Sequence, residues 1–151
     1  MILRISLFAI TAFSLSGCGT RALSRGAHLG MVQANEKMYR QRAIEFVGYA
    51  RTGELGKLML YTSVLTIKIQ GEDQVRTTYK EKVIPAFVDA TISWDSDAKL
   101  IYDHRSNPGF SYSGSIINKQ RSRFSIAIFG EEGEYVVAGI SRPNQHQKSS
   151  P

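Results

Sequence analysis

Cysteine is nearly absent: the one thiol, Cys18, excludes both an intramolecular disulfide framework and a cysteine-rich zinc site. Proline is scarce at four residues, and the 13 glycines follow no fixed period, so collagen-like, low-complexity and repeat architectures are excluded. The longest apolar stretch, Ile5 to Leu15, covers about 16 Å as a helix, roughly half of a ~30 Å hydrocarbon core. It is too short for a permanent membrane span. No Gly-rich phosphate loop, metal-spaced histidine pair or Gly-x-Ser-x-Gly elbow occurs. Asp95-Ser96-Asp97 lacks the further ligand, glycine and terminal Glu of a calcium loop. No cofactor or metal is therefore expected. What remains is 151 residues, 42% apolar and 21% charged, an ordinary globular composition that fits one compact domain.

The amino terminus carries an address. Arg4 followed by the apolar run to Leu15 has the order of a secretory signal. Leu15-Ser16-Gly17-Cys18 then resembles the lipobox of bacterial lipoproteins, and the chain's one cysteine stands at its end. The resemblance implies cleavage of residues 1–17 and acylation of Cys18. Several acyl chains together anchor a protein stably, where one chain holds it only marginally. Gly19, not an acidic residue, follows Cys18, which by the same resemblance implies the periplasmic leaflet of the outer membrane in the bacterial envelope.

Setting Arg4 aside with the leader leaves 18 basic and 13 acidic residues, a charge of +5. An anchored envelope protein rarely meets nucleic acid, so the expected partners are anionic headgroups, cell-wall polymers or other envelope proteins. Residues 18–30 form the acylated cysteine and a Gly-containing tether, whose twelve residues after Cys18 reach at most about 40 Å. Residues 142–151 carry two prolines and no large apolar side chain, the composition of a frayed tail.

The domain between them, 31–141, begins with helical periodicity. Tyr39, Ala43, Phe46, Val47 and Ala50 form one stripe, with Asn35 as the expected N-cap. Glu54–Tyr61 reads as a second helix with Leu55, Leu58 and Met59 inward. Val64–Ile69 is β-branched and reads as a strand. Val75, Tyr79 and Val83 predict a third helix that stops before Pro85. Strands are then expected at Phe87–Trp94 and Lys99–Asp103, joined through Asp95-Ser96-Asp97. A type II turn follows at Asn107-Pro108-Gly109, then a strand through Phe110, Tyr112, Gly114 and Ile116. Arg123–Phe129 and Tyr135–Ile140 close the chain across Gly130–Gly133. The class is α+β, helices on one face of a curved, mostly antiparallel sheet.

Three segments resemble the NTF2-like (SnoaL-like, cystatin-like cone) family: Gly53-Glu-Leu-Gly-Lys-Leu58, the Gly71–Phe87 stretch with its acidic start and Pro-Ala-Phe end, and Gly133–Pro143. The resemblance implies a cone-shaped pocket between helices and sheet, and in some members dimerisation through the open sheet face. Its members include isomerases, dehydratases and scaffold domains of secretion machines, so fold does not settle function.

Enzymes of that family use an Asp or His base, and the candidates here are Asp103 and His104, since His28 and His146 fall in the tether and tail. Neighbours on a regular strand point to opposite faces, so the two need a bulge or a strand end to work together. Tyr39, Tyr79, Trp94 and Tyr112 are candidates to line a pocket, although aromatics at such spacings also build cores. Lys119, Arg121 and Arg123 form a basic hairpin tip suited to an anionic partner. The expectation is an anchored lipoprotein with a non-catalytic binding or scaffold domain; the alternative is a small isomerase- or dehydratase-type enzyme, or a binder of an apolar ligand.

Overall fold

The computed structural model describes residues 29–118 and 121–141. Helices pack against one face of a four-stranded antiparallel sheet of order β1-β2-β3-β4. After a helical stretch, α1, over 29–34 come α2 (Glu36–Thr52), α3 (Leu55–Leu60), α4 (Val64–Gln70) and α5 (Glu72–Thr78). A π-helical turn at Tyr79–Val83 leads to α6 (Ile84–Phe87), and the strands are β1 (Thr91–Tyr102), β2 (Pro108–Ile117), β3 (Arg121–Glu131) and β4 (Glu134–Ser141). Leu29 and Gly30, read from sequence as the end of the tether, are already helical.

The helical stripe is buried as its period predicts: Tyr39, Ala43, Phe46, Val47 and Ala50 all lie in the core. Asn35 occupies the cap position without capping; its amide donates to the Met31 carbonyl at 2.9 Å. Leu58, Val75, Tyr79 and Val83 are buried too. The third helix runs past Pro85 instead of stopping. Proline has no N–H for the Glu81 carbonyl, and the helix widens just before it, with Ile84 N–H reaching the Tyr79 carbonyl five residues back.

Three strand expectations are corrected, the first being the strand expected from Phe87: Phe87 ends α6, and β1 begins only at Thr91. Val64–Gln70 is a helix: Ser63 holds an extended backbone (ψ 132°), and its hydroxyl accepts from Thr66 N–H at 3.4 Å. That side-chain cap outweighs the β preference of the aliphatics behind it. Asp95-Ser96-Asp97 is not a hairpin turn, because β1 passes straight through it. Trp94 faces Gly114 and Ala98 faces Tyr112, so four steps on β1 oppose two on β2. An excess of two residues preserves the side-chain alternation. Ile92, Trp94, Ala98 and Leu100 therefore all pack toward the core. Arg40 donates to the Asp95 and Ser96 carbonyls at 3.3 and 2.7 Å, pinning the bulge from the helix side.

The first hairpin turns at Asp103–Asn107, so Pro108 and Gly109 already belong to β2 and no type II turn forms on them. The last hairpin lies where the Gly130–Gly133 segment predicts. Glu132 and Gly133 both take positive φ, 49° and 85°, matching the right-handed strand twist. Phe110, Tyr112 and Ile116 of β2 and Phe124, Ile126 and Ile128 of β3 form the core face. Edge-to-face ring pairs tie it together: Tyr39–Phe110 at 5.3 Å, Phe46–Tyr79 at 5.7 Å, Phe87–Phe124 at 5.2 Å and Trp94–Phe124 at 5.1 Å. At Gly114 a Cβ would meet the Phe124 ring at 2.8 Å, so the missing side chain is what lets that ring lie across β2.

Candidate functional site

The β1–β2 and β3–β4 turns share one end of the sheet, because antiparallel neighbours reverse direction at alternate ends. At that end the outer edge of β4 is partly covered. Ser63 N–H donates to the Val137 carbonyl and Val137 N–H to the Tyr61 carbonyl, both at 2.8 Å, a one-residue parallel bridge through Thr62. The chain then leaves the sheet as α4. Thr66 Oγ1 donates to the Ala138 carbonyl at 2.8 Å, and the Glu131 carboxylate accepts from the Ser63 hydroxyl and from Val64 N–H at 3.2 Å. A carboxylate at the first turn of a helix also meets its partial positive charge.

Between α4 and these turns lies an open groove of about 920 Å³. Tyr61, Phe129, Val136 and Ala138 line it on the sheet side, Leu60, Val64, Leu65, Lys68 and Ile69 on the helix side, and Asp103, Arg105 and Asn107 at one end. Arg42, also in the lining, stacks over the Tyr61 ring at 3.8 Å. Its Nη1 lies 3.3 Å from Glu45 and its Nη2 3.9 Å from Glu134, yet Nε and Nη1 are aligned for no hydrogen bond. The charge lining is mixed, so ions of either sign meet both attraction and repulsion.

Asp103 faces this groove and His104 is exposed outside its lining. The Asp103 carboxylate accepts from Arg105 N–H and Asn107 N–H at 2.8 Å each and from the Asn107 side-chain amide at 2.9 Å. Partial burial works against its ionisation, but the hydrogen bonds from Asn107 and Arg105, with His104 nearby, bring the carboxyl below the usual Asp value. A carboxylate held this way is a turn-former and a weak proton acceptor at neutral pH.

The aromatic candidates lie elsewhere. Tyr39, Tyr79 and Tyr112 are buried in the helix–sheet core, and Trp94 packs against it. Burial, with Tyr135 beside it, raises the Tyr39 phenol. Burial likewise raises the Tyr112 phenol well above the ordinary tyrosine range, and its hydroxyl donates to the Glu36 carbonyl at 3.1 Å. Tyr79 pairs with the Thr62 hydroxyl at 2.7 Å; Thr62 in turn donates to the Leu58 carbonyl, so Tyr79 is the donor to Thr62. Burial is the main reason the Tyr79 phenol is raised.

Of the basic tip, Arg123 forms a two-pronged ion pair with Asp95 in the β1 bulge, and Arg121 Nε donates to the Ser115 hydroxyl at 3.3 Å. Lys119 and Cys18 lie outside the described residues. Among the described residues, no cluster of three His, Cys, Asp or Glu could hold a metal ion, and no helix is long and apolar enough to cross a membrane. The groove itself was missed from sequence. Its helical wall draws Leu60 from α3 and Val64, Leu65 and Ile69 from α4, and a strand expected at Val64–Ile69 leaves no helix there to form that wall.

No protein-family model matches this chain, nor does any curated protein or any solved structure.

Proposed function

We propose that this protein is a lipid-anchored envelope lipoprotein of the outer membrane's periplasmic leaflet, whose α+β domain binds or scaffolds without catalysing. The observation that carries the second half is the condition of the groove. It is open, its Asp103 and Glu131 carboxylates are occupied by neighbouring N–H and O–H groups, and aliphatic side chains stand uncovered on its helical wall. A proton-transfer enzyme needs a base with a pKa near neutrality in an enclosed cavity; an uncovered aliphatic wall suits a binding surface. The anchor is supported by Leu15-Ser16-Gly17-Cys18 directly after the apolar leader. For the finer architecture we favour an NTF2-like cone, supported by the helices-first order and the closing antiparallel strands. Here α4 stands where that pattern carries a strand.

Acyl labelling tests the anchor. Cys18→Ala should accumulate uncleaved precursor and lose the label, and normal processing of that variant would overturn the anchor. Crosslinking in intact cells, followed by purification of the native protein, tests the scaffold. Stoichiometric envelope proteins that disappear on charge reversal at Lys119 and Arg121 support it. Recovery of the protein alone, or only as its own dimer, would overturn it.

A further inference from the structure

We infer that α4, together with Leu60 at the end of α3, is a membrane-docking element, which lays Leu60, Val64 and Ile69 on the bilayer to which the chain is tethered. The inference rests on the anchored-lipoprotein reading and adds to it a second, reversible contact with the lipid.

The primary observation is a helix with nothing inside it. Residues Val64–Gln70 include four aliphatics, Val64, Leu65, Ile67 and Ile69, and none of the seven is buried. Val64 and Ile69 are each 72% exposed and Leu60 is 67% exposed, all on the rim of one groove. Water-facing aliphatics gathered in this way mark an interaction surface. The charge supports a lipid surface. Between Glu54 and Glu72 the charged residues are Lys57 and Lys68, so the apolar patch sits among cations with no acid in its own segment. The nearby acids belong to the two turns at this end of the sheet: Asp103, in the β1–β2 turn, is held by N–H groups of Arg105 and Asn107, and the others lie in the β3–β4 segment. Glu131 is turned back onto Ser63 and Val64, Glu134 faces Arg42, and Glu132 sits in the turn.

Tether length makes the contact reachable. The start of α2 lies over β1 and β2, where Tyr112 bonds the Glu36 carbonyl and Arg40 bonds the β1 bulge, whereas α4 hangs from β4. Three strand spacings separate β1 from β4, about 14 Å. Ten residues, 19–28, join Cys18 to the described chain and span up to about 35 Å. A chain anchored at Cys18 can therefore lie on its β4 side. The anchor also holds the local lipid concentration high, so a patch of three side chains suffices for docking.

The test uses the full chain, purified in detergent and reconstituted into phosphatidylethanolamine–phosphatidylglycerol vesicles containing spin-labelled lipid. Val64→Cys and Lys37→Cys chains each carry a thiol-linked fluorophore; Lys37 is exposed at the start of α2. Emission from position 64 should fall by about threefold on adding quencher lipid, with position 37 nearly unchanged. Leu60→Gln with Ile69→Gln in the same chain should restore most of the emission at 64. Equal behaviour at the two positions, or quenching indifferent to those substitutions, overturns the inference. A position-64 probe unquenched in vesicles yet shielded in intact cells also overturns it, in favour of a protein partner. Failure of the anchor reads out separately. An acylated Cys18 takes no fluorophore in the parent chain, so a labelled parent removes the anchor. The same probes in a Cys18→Ala background then report on α4 by itself.

Discussion

Asp103 illustrates how one side chain can look catalytic in sequence and prove architectural. Its carboxylate organises the turn 103–107 through three N–H donors, and the closing residue Ser106 takes a positive φ of 63°. Because the folded carboxyl is lowered, its stabilisation is fully present above the ordinary Asp value and is lost as pH falls through the folded one. Asp103→Ala should therefore cost about 1 kcal/mol at pH 7, and the difference should shrink in acid; urea titrations at both pH values check it. The Thr62–Tyr79 pair makes a sharper prediction. Tyr79→Phe leaves the Thr62 proton on the Leu58 carbonyl, whereas Thr62→Val strands a buried phenol hydroxyl. The second substitution should cost about 1 kcal/mol more than the first. Thermal unfolding of the two variants side by side decides this, and equal losses would mean the donor order is reversed.

At the level of elements, α4 and the last hairpin depend on different physics. The helix has no buried residue and is held by its cap and by bonds to Glu131 and Ala138. Ser63→Ala should weaken it by about 1 kcal/mol while barely changing global stability. Local opening would then accelerate amide exchange at Ile67 and Gly71, whose N–H groups bond the Ser63 and Ile67 carbonyls, by roughly fivefold. Exchange rising equally in the core strands would show that α4 unfolds only with the whole domain. The β3–β4 turn, by contrast, is fixed by backbone conformation. Gly133 has open space where a side chain would go but a φ of 85°, so Gly133→Val should cost about 1–2 kcal/mol through strain alone. Urea unfolding measures it, and an unchanged midpoint would deny the turn its left-handed geometry.

For the whole molecule, the helical half was largely legible in the sequence. The Tyr39–Ala50 stripe and the Val75–Tyr79–Val83 series are periodic, and burial of one helix face is what produces such a period. The last hairpin was legible because Gly133 supplies a backbone conformation that few residues adopt. That helices come first and antiparallel strands last, with the helices packed on the sheet, follows from local pattern. Three features did not. The β1 bulge keeps strand phase by inserting two residues, so its sequence resembles two strands and a turn. The helical state of 64–70 depends on Ser63 meeting both Thr66 and a carboxylate 68 residues away. The groove and the roles of Asp103 and Arg123 depend on which turns share a sheet end and which strand lies opposite. Sequence by itself determined the elements whose reasons lie within a few residues. Tertiary structure alone decided the site, because its groups meet only after the strands have paired.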